Sequence, residues 1–118
     1  MSDDEKRRHH RFLAVLEVRV VPGEHAPPDL KLMTIDISSG GALCASNQPI
    51  EADVPLKLTL HLVGGDLRAP AIVDVDAKVL TCTERPRDMP SRRYEISLQF
   101  TRMEAGDRKR LQAYLNSL

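Results

Sequence analysis

Alternation of apolar and polar residues is the sequence feature that most constrains the fold of this chain. Between positions 54 and 62 every second residue is apolar. The same period of two returns at 71–80 and at 94–100. Such alternation is typical of β-strands with one buried face and one polar face. These three segments are therefore predicted to be half-buried strands.

Shorter runs at 16–20, 30–37 and 42–45 bring the number of predicted strands to about six, and clusters of Gly, Pro, Ser and Asn separate them. Six short strands, each with one apolar face, predict a small antiparallel barrel or sandwich. A barrel is favoured because closure removes exposed strand edges. Pro55 cannot donate a hydrogen bond to a neighbouring strand, so it is expected at the start of its strand or at an open edge. The 64–66 segment is predicted to be a turn.

The C-terminal segment changes period. Apolar residues there follow the i, i+3, i+4, i+7 spacing of an amphipathic helix: Leu111, Tyr114, Leu115 and Leu118. Thr101 and Glu104 have the spacing of a capping box, which predicts Thr101 as the N-cap. The fold class expected from the whole pattern is mainly β, a six-stranded antiparallel barrel with a C-terminal α-helix.

The amino-acid composition argues against nucleic-acid binding and against membrane insertion. The chain has 118 residues, and its 17 Lys and Arg balance its 17 Asp and Glu. Net neutrality and an aromatic content of only 3% without Trp disfavour a nucleic-acid binder. We expect no membrane insertion, because no run of 18 apolar residues occurs. The N-terminus also lacks the apolar stretch of a secretory signal.

The sequence carries no signature of catalysis or of a metal site. A Ser-His-Asp order, a phosphate-binding glycine loop and an HExxH motif are all absent. Cys44 and Cys82 are too far apart for a zinc-ligand spacing, and two cysteines make no disulfide framework. We therefore expect a cytoplasmic protein that is not an enzyme and has no metal or cofactor, with both cysteines acting as small buried hydrophobic residues.

The first candidate binding element is the basic segment near the N-terminus. Residues 1–11 have no apolar periodicity and are predicted to form a flexible arm before the barrel at 12–118. Four cations lie within six positions of this arm: Lys6, Arg7, Arg8 and Arg11. Guanidinium groups suit bidentate contacts to phosphate oxygens and to the O6/N7 edge of guanine. Considered alone, a charged segment of this kind is equally typical of a solvated terminal tail.

The second candidate is the sequence Asp36-Ile-Ser-Ser-Gly-Gly41. The Asp36 carboxylate can accept hydrogen bonds from the N1/N2 edge of guanine or from an arginine. Ser38 supplies a small hydroxyl, and Gly41 permits a tight turn or the close approach of a ligand. Considered alone, these residue types are also those of an ordinary hairpin turn.

Taken together, R-x-x-x-R at Arg7 and Arg11 followed by D-x-S-x-x-G at Asp36, Ser38 and Gly41 resembles the PilZ domain family. The segment EKRRHHRF before a first strand and the segment YEISLQF before a final helix are also similar to that family. The resemblance covers about residues 5–118.

The resemblance implies a six-stranded barrel that binds the bacterial second messenger cyclic di-GMP. It implies that Arg7 and Arg11 contact phosphates and guanine edges, with Lys6 and Arg8 adding charge or stacking. Asp36, Ser38 and Gly41 would hold a guanine and shape the turn. The arm would order over the ligand, and the new surface would act on a downstream protein that the sequence does not identify.

Two other functions stay open at this stage. Some PilZ-like domains bind no ligand and act as protein-interaction adaptors. A weak nucleic-acid binder would use the basic arm together with the arginine-rich 84–93 segment. That segment is either a solvated loop, a partner surface or a supplementary contact to the phosphates of the ligand. The sequence sets neither the ligand stoichiometry nor the oligomeric state.

Overall fold

A computed structural model of the chain describes residues 12–13, 15–23, 25–63, 71–85 and 93–118. The predicted arm at 1–11, the predicted turn at 64–66 and most of the 84–93 segment lie outside these residues. The described part contains seven strands and one helix: β1 (Phe12–Leu13), β2 (Glu17–Val20), β3 (Leu32–Ile37), β4 (Gly41–Ser46), β5 (Pro55–Leu62), β6 (Ala71–Glu84), β7 (Tyr94–Arg102) and α1 (Ala105–Asn116).

The strands form one closed antiparallel barrel. Their order is β1-β3-β2-β5-β6-β7-β4, and a further pairing of β3 with β4 closes the sheet. β1 pairs with the last two residues of β3, and β2 pairs with the first two. Since β4 occupies the other edge of β3, β1 and β2 are two halves of one interrupted strand. The predicted six-stranded antiparallel barrel is therefore confirmed.

The period-two pattern predicts the buried faces of β5 and β6 correctly. Leu60 and Leu62 on β5 and Val73 and Val79 on β6 are fully buried in the barrel core. Pro55 is the first residue of β5, as its missing N–H requires. Both cysteines are free, Cys44 buried and Cys82 half-buried.

A side chain bridges the interruption in the first strand. The Leu16 backbone N–H donates to the Thr34 hydroxyl oxygen at 2.8 Å, and the Thr34 N–H donates to the Leu16 carbonyl at 3.0 Å. Both residues are buried, so this N–H has no access to bulk water. The hydroxyl thus takes the place of a backbone acceptor where the regular pairing stops.

Thr34→Val is expected to lower the free energy of unfolding by about 1–3 kcal/mol, because it leaves the Leu16 N–H buried without this acceptor at nearly unchanged side-chain volume. Chemical denaturation measures the effect. Thr59→Val is the matched control, since the Thr59 hydroxyl donates to Asp74 on an exposed strand face; we expect it to change the stability by less than about 0.5 kcal/mol. Equal stability losses in the two variants would contradict this role of Thr34.

The helix packs one face on the barrel and begins later than predicted. Leu111, Tyr114 and Leu115 are buried, and the Tyr114 hydroxyl donates to the Val63 carbonyl at 2.9 Å. The prediction of Thr101 as N-cap is wrong: β7 continues to pair with β6 as far as Arg102, and the N-cap is Glu104. The prediction that Leu118 belongs to the buried apolar face is wrong, because this residue lies past the helix end and is exposed. In the described part of the chain, no helix has the length and apolarity needed to span a bilayer.

Candidate functional site

A β-bulge in β3 decides which way Asp36 faces. Thr34 pairs with Cys44 of β4, whereas Asp36 pairs with Leu43, so Ile35 is an extra residue in the ladder. Unbroken alternation would place Asp36 on the same face as the buried Thr34. The extra residue instead turns Asp36 to the outer face beside half-buried Leu43 and returns Ile37 to the core.

The turn after β3 is organised by Ser38. Its buried hydroxyl lies 3.2 Å from both the Gly40 and the Gly41 backbone nitrogens, which donate to it. The Ser38 N–H donates to the Gly41 carbonyl at 2.8 Å, closing the turn. Ser38 therefore holds the short connection between β3 and β4 in one conformation. Whether it also contacts a ligand stays a prediction.

Gly41 is a glycine because β7 passes against it. A Cβ built on Gly41 would overlap the backbone carbonyl oxygen of Leu98. The neighbouring Gly40 carbonyl accepts a hydrogen bond from the Phe100 N–H at 2.9 Å. The close approach seen at Gly41 is that of β7, and it fixes the turn to the barrel wall.

Asp36 belongs to an outer surface formed by four neighbouring strands. Leu43 of β4 pairs with Ser97 of β7, and Ser97 pairs with Thr81 of β6. The Ser97 and Thr81 hydroxyls are hydrogen-bonded at 2.6 Å. We call this face of β3, β4, β6 and β7 the outer surface. It offers hydroxyl groups and a carboxylate beside apolar side chains.

A cavity of about 290 Å³ opens on the same outer surface, next to the break in the first strand. Its apolar lining comes from Val15, Met33, Ile35 and Ala45, and its polar lining includes Arg85 and Glu95. Nη1 of Arg85 lies 2.9 Å from Oε1 of Glu95. The side chains remain 40% and 31% exposed, so an incoming ligand can reach both.

The predicted arm precedes β1 in the chain. Lys6, Arg7, Arg8 and Arg11 lie outside the described residues, so their predicted contacts are not tested. The residue that follows Arg11, Phe12, pairs with Ile37, and Leu13 pairs with Asp36. The chain that leaves the arm therefore runs directly alongside the strand that carries the second motif.

Sequence analysis missed two features of this surface. The bulge at Ile35 has no local sequence signal apart from the irregular alternation of 30–37. The alternation of 94–100 indicates only a polar position at Glu95, and Arg85 is one of several arginines in the 84–93 segment. The signal that could have revealed this pair is a hairpin of β6 and β7 connected through the 84–93 segment. In that hairpin Thr83 pairs with Glu95, which brings Arg85 close to Glu95.

Cys44 lies on the inner face of β4, close to the bulge. Its burial, and secondarily the negative charge of Asp36, raise the pKa of the thiol from 9.0 to about 12. The thiol is therefore protonated at neutral pH, consistent with the predicted role of a small buried hydrophobic residue.

This pKa shift predicts a loss of stability in alkali. The unfolded chain releases the Cys44 proton near pH 9, whereas the folded chain keeps it up to about pH 12. The contribution of the neutral buried thiol is thus fully present below pH 9 and is lost as the pH rises toward 12. The difference in unfolding free energy between the unchanged protein and Cys44→Ala should fall over that range. A difference independent of pH would contradict the assignment.

Comparisons with known proteins agree with this architecture. The sequence model of the PilZ domain matches residues 5–117. None of the curated proteins matches the chain. The fold is similar to that of the inhibitor of motility MotI/DgrA from Bacillus subtilis, with a TM-score of 0.70 and 23% identity over 93% of this chain and 50% of that one. The chain thus spans about half the length of the B. subtilis protein.

The fold is also similar to the PilZ domain of YcgR from Escherichia coli, whose structure was solved with cyclic di-GMP. The TM-score is 0.68 at 13% identity, over 95% of this chain and 91% of that one. At these identities both likenesses concern the fold. The family match covers almost the whole chain. This chain belongs to the PilZ domain family.

Proposed function

We propose that this protein is a cytoplasmic receptor for cyclic di-GMP, without catalytic activity, that signals through a ligand-induced change in its surface. The ligand would lie on the outer surface next to Asp36. Arg7 and Arg11 would contact its phosphates and guanine edges, Lys6 and Arg8 would add charge, and Asp36 would accept from a guanine. Ser38 and Gly41 would hold the turn that positions Asp36.

The outward orientation of Asp36 is the observation that carries this proposal. The bulge turns a carboxylate from the core side of β3 to the outer surface, directly opposite Leu13, which follows the predicted arm by two positions. A carboxylate is the acceptor that the N1 and N2 donors of guanine require. The ligand is a dianion, so it also requires nearby cations, and R-x-x-x-R supplies two guanidinium groups from the adjoining segment.

Membership of the PilZ domain family supports the same ligand. The structure of the E. coli neighbour was solved with cyclic di-GMP, and the fold similarity covers 95% of the present chain. Both motifs are complete here, which favours a receptor over an adaptor that needs no ligand. Ordering of a cationic arm over a bound dianion is a physical basis for signalling, because it presents a new surface to a partner protein.

Calorimetric titration of the purified chain with cyclic di-GMP tests the proposal, with GTP and cyclic di-AMP as controls. We expect saturable binding of cyclic di-GMP and much weaker binding of both controls. The stoichiometry then distinguishes one bound ligand from an intercalated pair. No binding to a folded sample would overturn the receptor function and favour the ligand-independent adaptor. Steeply salt-dependent binding to unrelated DNA or RNA would favour the nucleic-acid binder instead.

A further inference from the structure

The Arg85–Glu95 ion pair in the cavity is a preformed donor–acceptor edge. Nη1 of Arg85 and Oε1 of Glu95 lie 2.9 Å apart at the wall of a cavity of about 290 Å³. The guanidinium offers only hydrogen-bond donors, and the carboxylate offers only acceptors. The cavity therefore presents a donor directly beside an acceptor to anything that enters it.

Guanine carries the complementary pattern on its Watson–Crick edge. Its O6 is an acceptor, and the adjacent N1–H and N2–H groups are donors. Arg85 can donate to O6 while the Glu95 carboxylate accepts from N1–H and N2–H. Adenine reverses the first two positions, with an amino donor in place of O6 and an acceptor at N1. An adenine would thus set donor against donor and acceptor against acceptor.

The remaining walls of the cavity suit the faces of a planar base. Val15, Met33 and Ile35 are apolar, and Ala45 on the floor is small. The break in the first strand places Val15 at the cavity, and the bulge places Ile35 there, so these two irregularities meet at one site. Apolar walls around one charged donor–acceptor edge are typical of a site that recognises a small heterocycle.

We propose that this cavity binds one guanine base of the nucleotide and that Arg85 and Glu95 discriminate guanine from adenine. The inference rests on the proposed cyclic di-GMP receptor function and adds a second specificity site to it. Cyclic di-GMP contains two guanines, and Asp36 is assigned to one of them. Glu95 lies on the same outer surface, on β7 rather than β3, and supplies a carboxylate for the other.

Glu95→Gln tests the proposal with little change of shape. The amide replaces one acceptor by a donor, so the match to N1–H and N2–H is lost. Removing a negative charge also strengthens the attraction of any dianion, and the readout is therefore the ratio of the affinities for cyclic di-GMP and cyclic di-AMP. We expect this ratio to fall about tenfold. Arg85→Ala should lower the ratio as well. The guanidinium donor disfavours adenine by facing its amino group, so its removal makes adenine binding less unfavourable.

Glu84→Gln is the matched control. Glu84 forms the neighbouring ion pair, in which Oε1 lies 3.4 Å from Nε of Arg93, and it does not line the cavity. It removes the same charge from the same end of the barrel, so the ratio should stay within twofold of the unchanged protein. Thermal unfolding of each variant establishes that the barrel is intact.

The outcomes separate this inference from the function on which it rests. A lowered ratio in Glu95→Gln but not in Glu84→Gln supports it. If the unchanged protein binds cyclic di-GMP and Glu95→Gln has the same ratio, the cavity does not recognise guanine, and the receptor function still stands. If the unchanged protein binds no cyclic di-GMP, both are overturned.

Discussion

Gly41→Ala is expected to destabilise the barrel by about 3 kcal/mol or more and to lower Tm by roughly 10 °C. The added methyl group would overlap the Leu98 carbonyl oxygen, which is backbone and cannot rotate away as a side chain would. β4 and β7 would have to separate locally. Ala42 pairs with Leu98 and Gly41 pairs with Gln99, so the separation would weaken the ladder at the start of β4.

Gly106→Ala is the control that isolates steric overlap from the general effect of removing a glycine. A Cβ at Gly106 meets nothing within 4 Å, and the residue lies in the first turn of α1. Alanine is a better helix former, so this variant should be more stable by about 0.5–1 kcal/mol. Differential scanning calorimetry measures both variants. A Gly41→Ala protein as stable as the unchanged chain would refute the steric requirement.

This prediction also changes how a binding experiment on Gly41 should be interpreted. The second motif contains a residue whose visible role is to let β7 pass against the turn. Loss of nucleotide binding in Gly41→Ala would therefore not distinguish a displaced turn from a lost ligand contact. The same holds for Ser38, whose hydroxyl accepts from the Gly40 and Gly41 backbone nitrogens.

Periodicity predicts this barrel well where a strand is regular and fails where a residue is added. Leu60 and Val73 are buried as alternation requires, since β5 and β6 pair there without a register shift. In β3 the extra residue Ile35 turns Asp36 outward. Bulges depend on how two strands fit together, so the sequence of one strand does not specify them.

The ion pair between Arg85 and Glu95 at the cavity could not be predicted from the sequence, for a related reason. Arg85 follows β6 and Glu95 lies in β7, ten positions away along the chain. Their 2.9 Å contact depends on the register of β6 against β7, which itself shifts between Val79 and Thr81. The N-cap prediction failed similarly, because the β6–β7 pairing keeps Thr101 in the sheet.

Alanine at Arg7, Arg11 or Asp36 is expected to weaken cyclic di-GMP binding by about 30-fold or more, with the barrel still folded. Each change removes one partner of a charge-assisted contact to the ligand, which typically costs on the order of 2–5 kcal/mol. The arginine variants should also show a weaker dependence of affinity on salt, since each removes a cation that faces a dianion. Asp36→Ala should keep the salt dependence and lower the selectivity for guanine.

Two variants at exposed charged residues away from the motifs serve as matched controls for this series. Arg19→Ala removes an exposed guanidinium from β2. Asp74→Asn neutralises a carboxylate on β6 and keeps an acceptor for the Thr59 hydroxyl. Both should bind cyclic di-GMP within about twofold of the unchanged protein, because surface charges away from the ligand contribute little. If Arg7→Ala binds as tightly as Arg19→Ala does, the first motif is not the phosphate-binding element and the arm has another role.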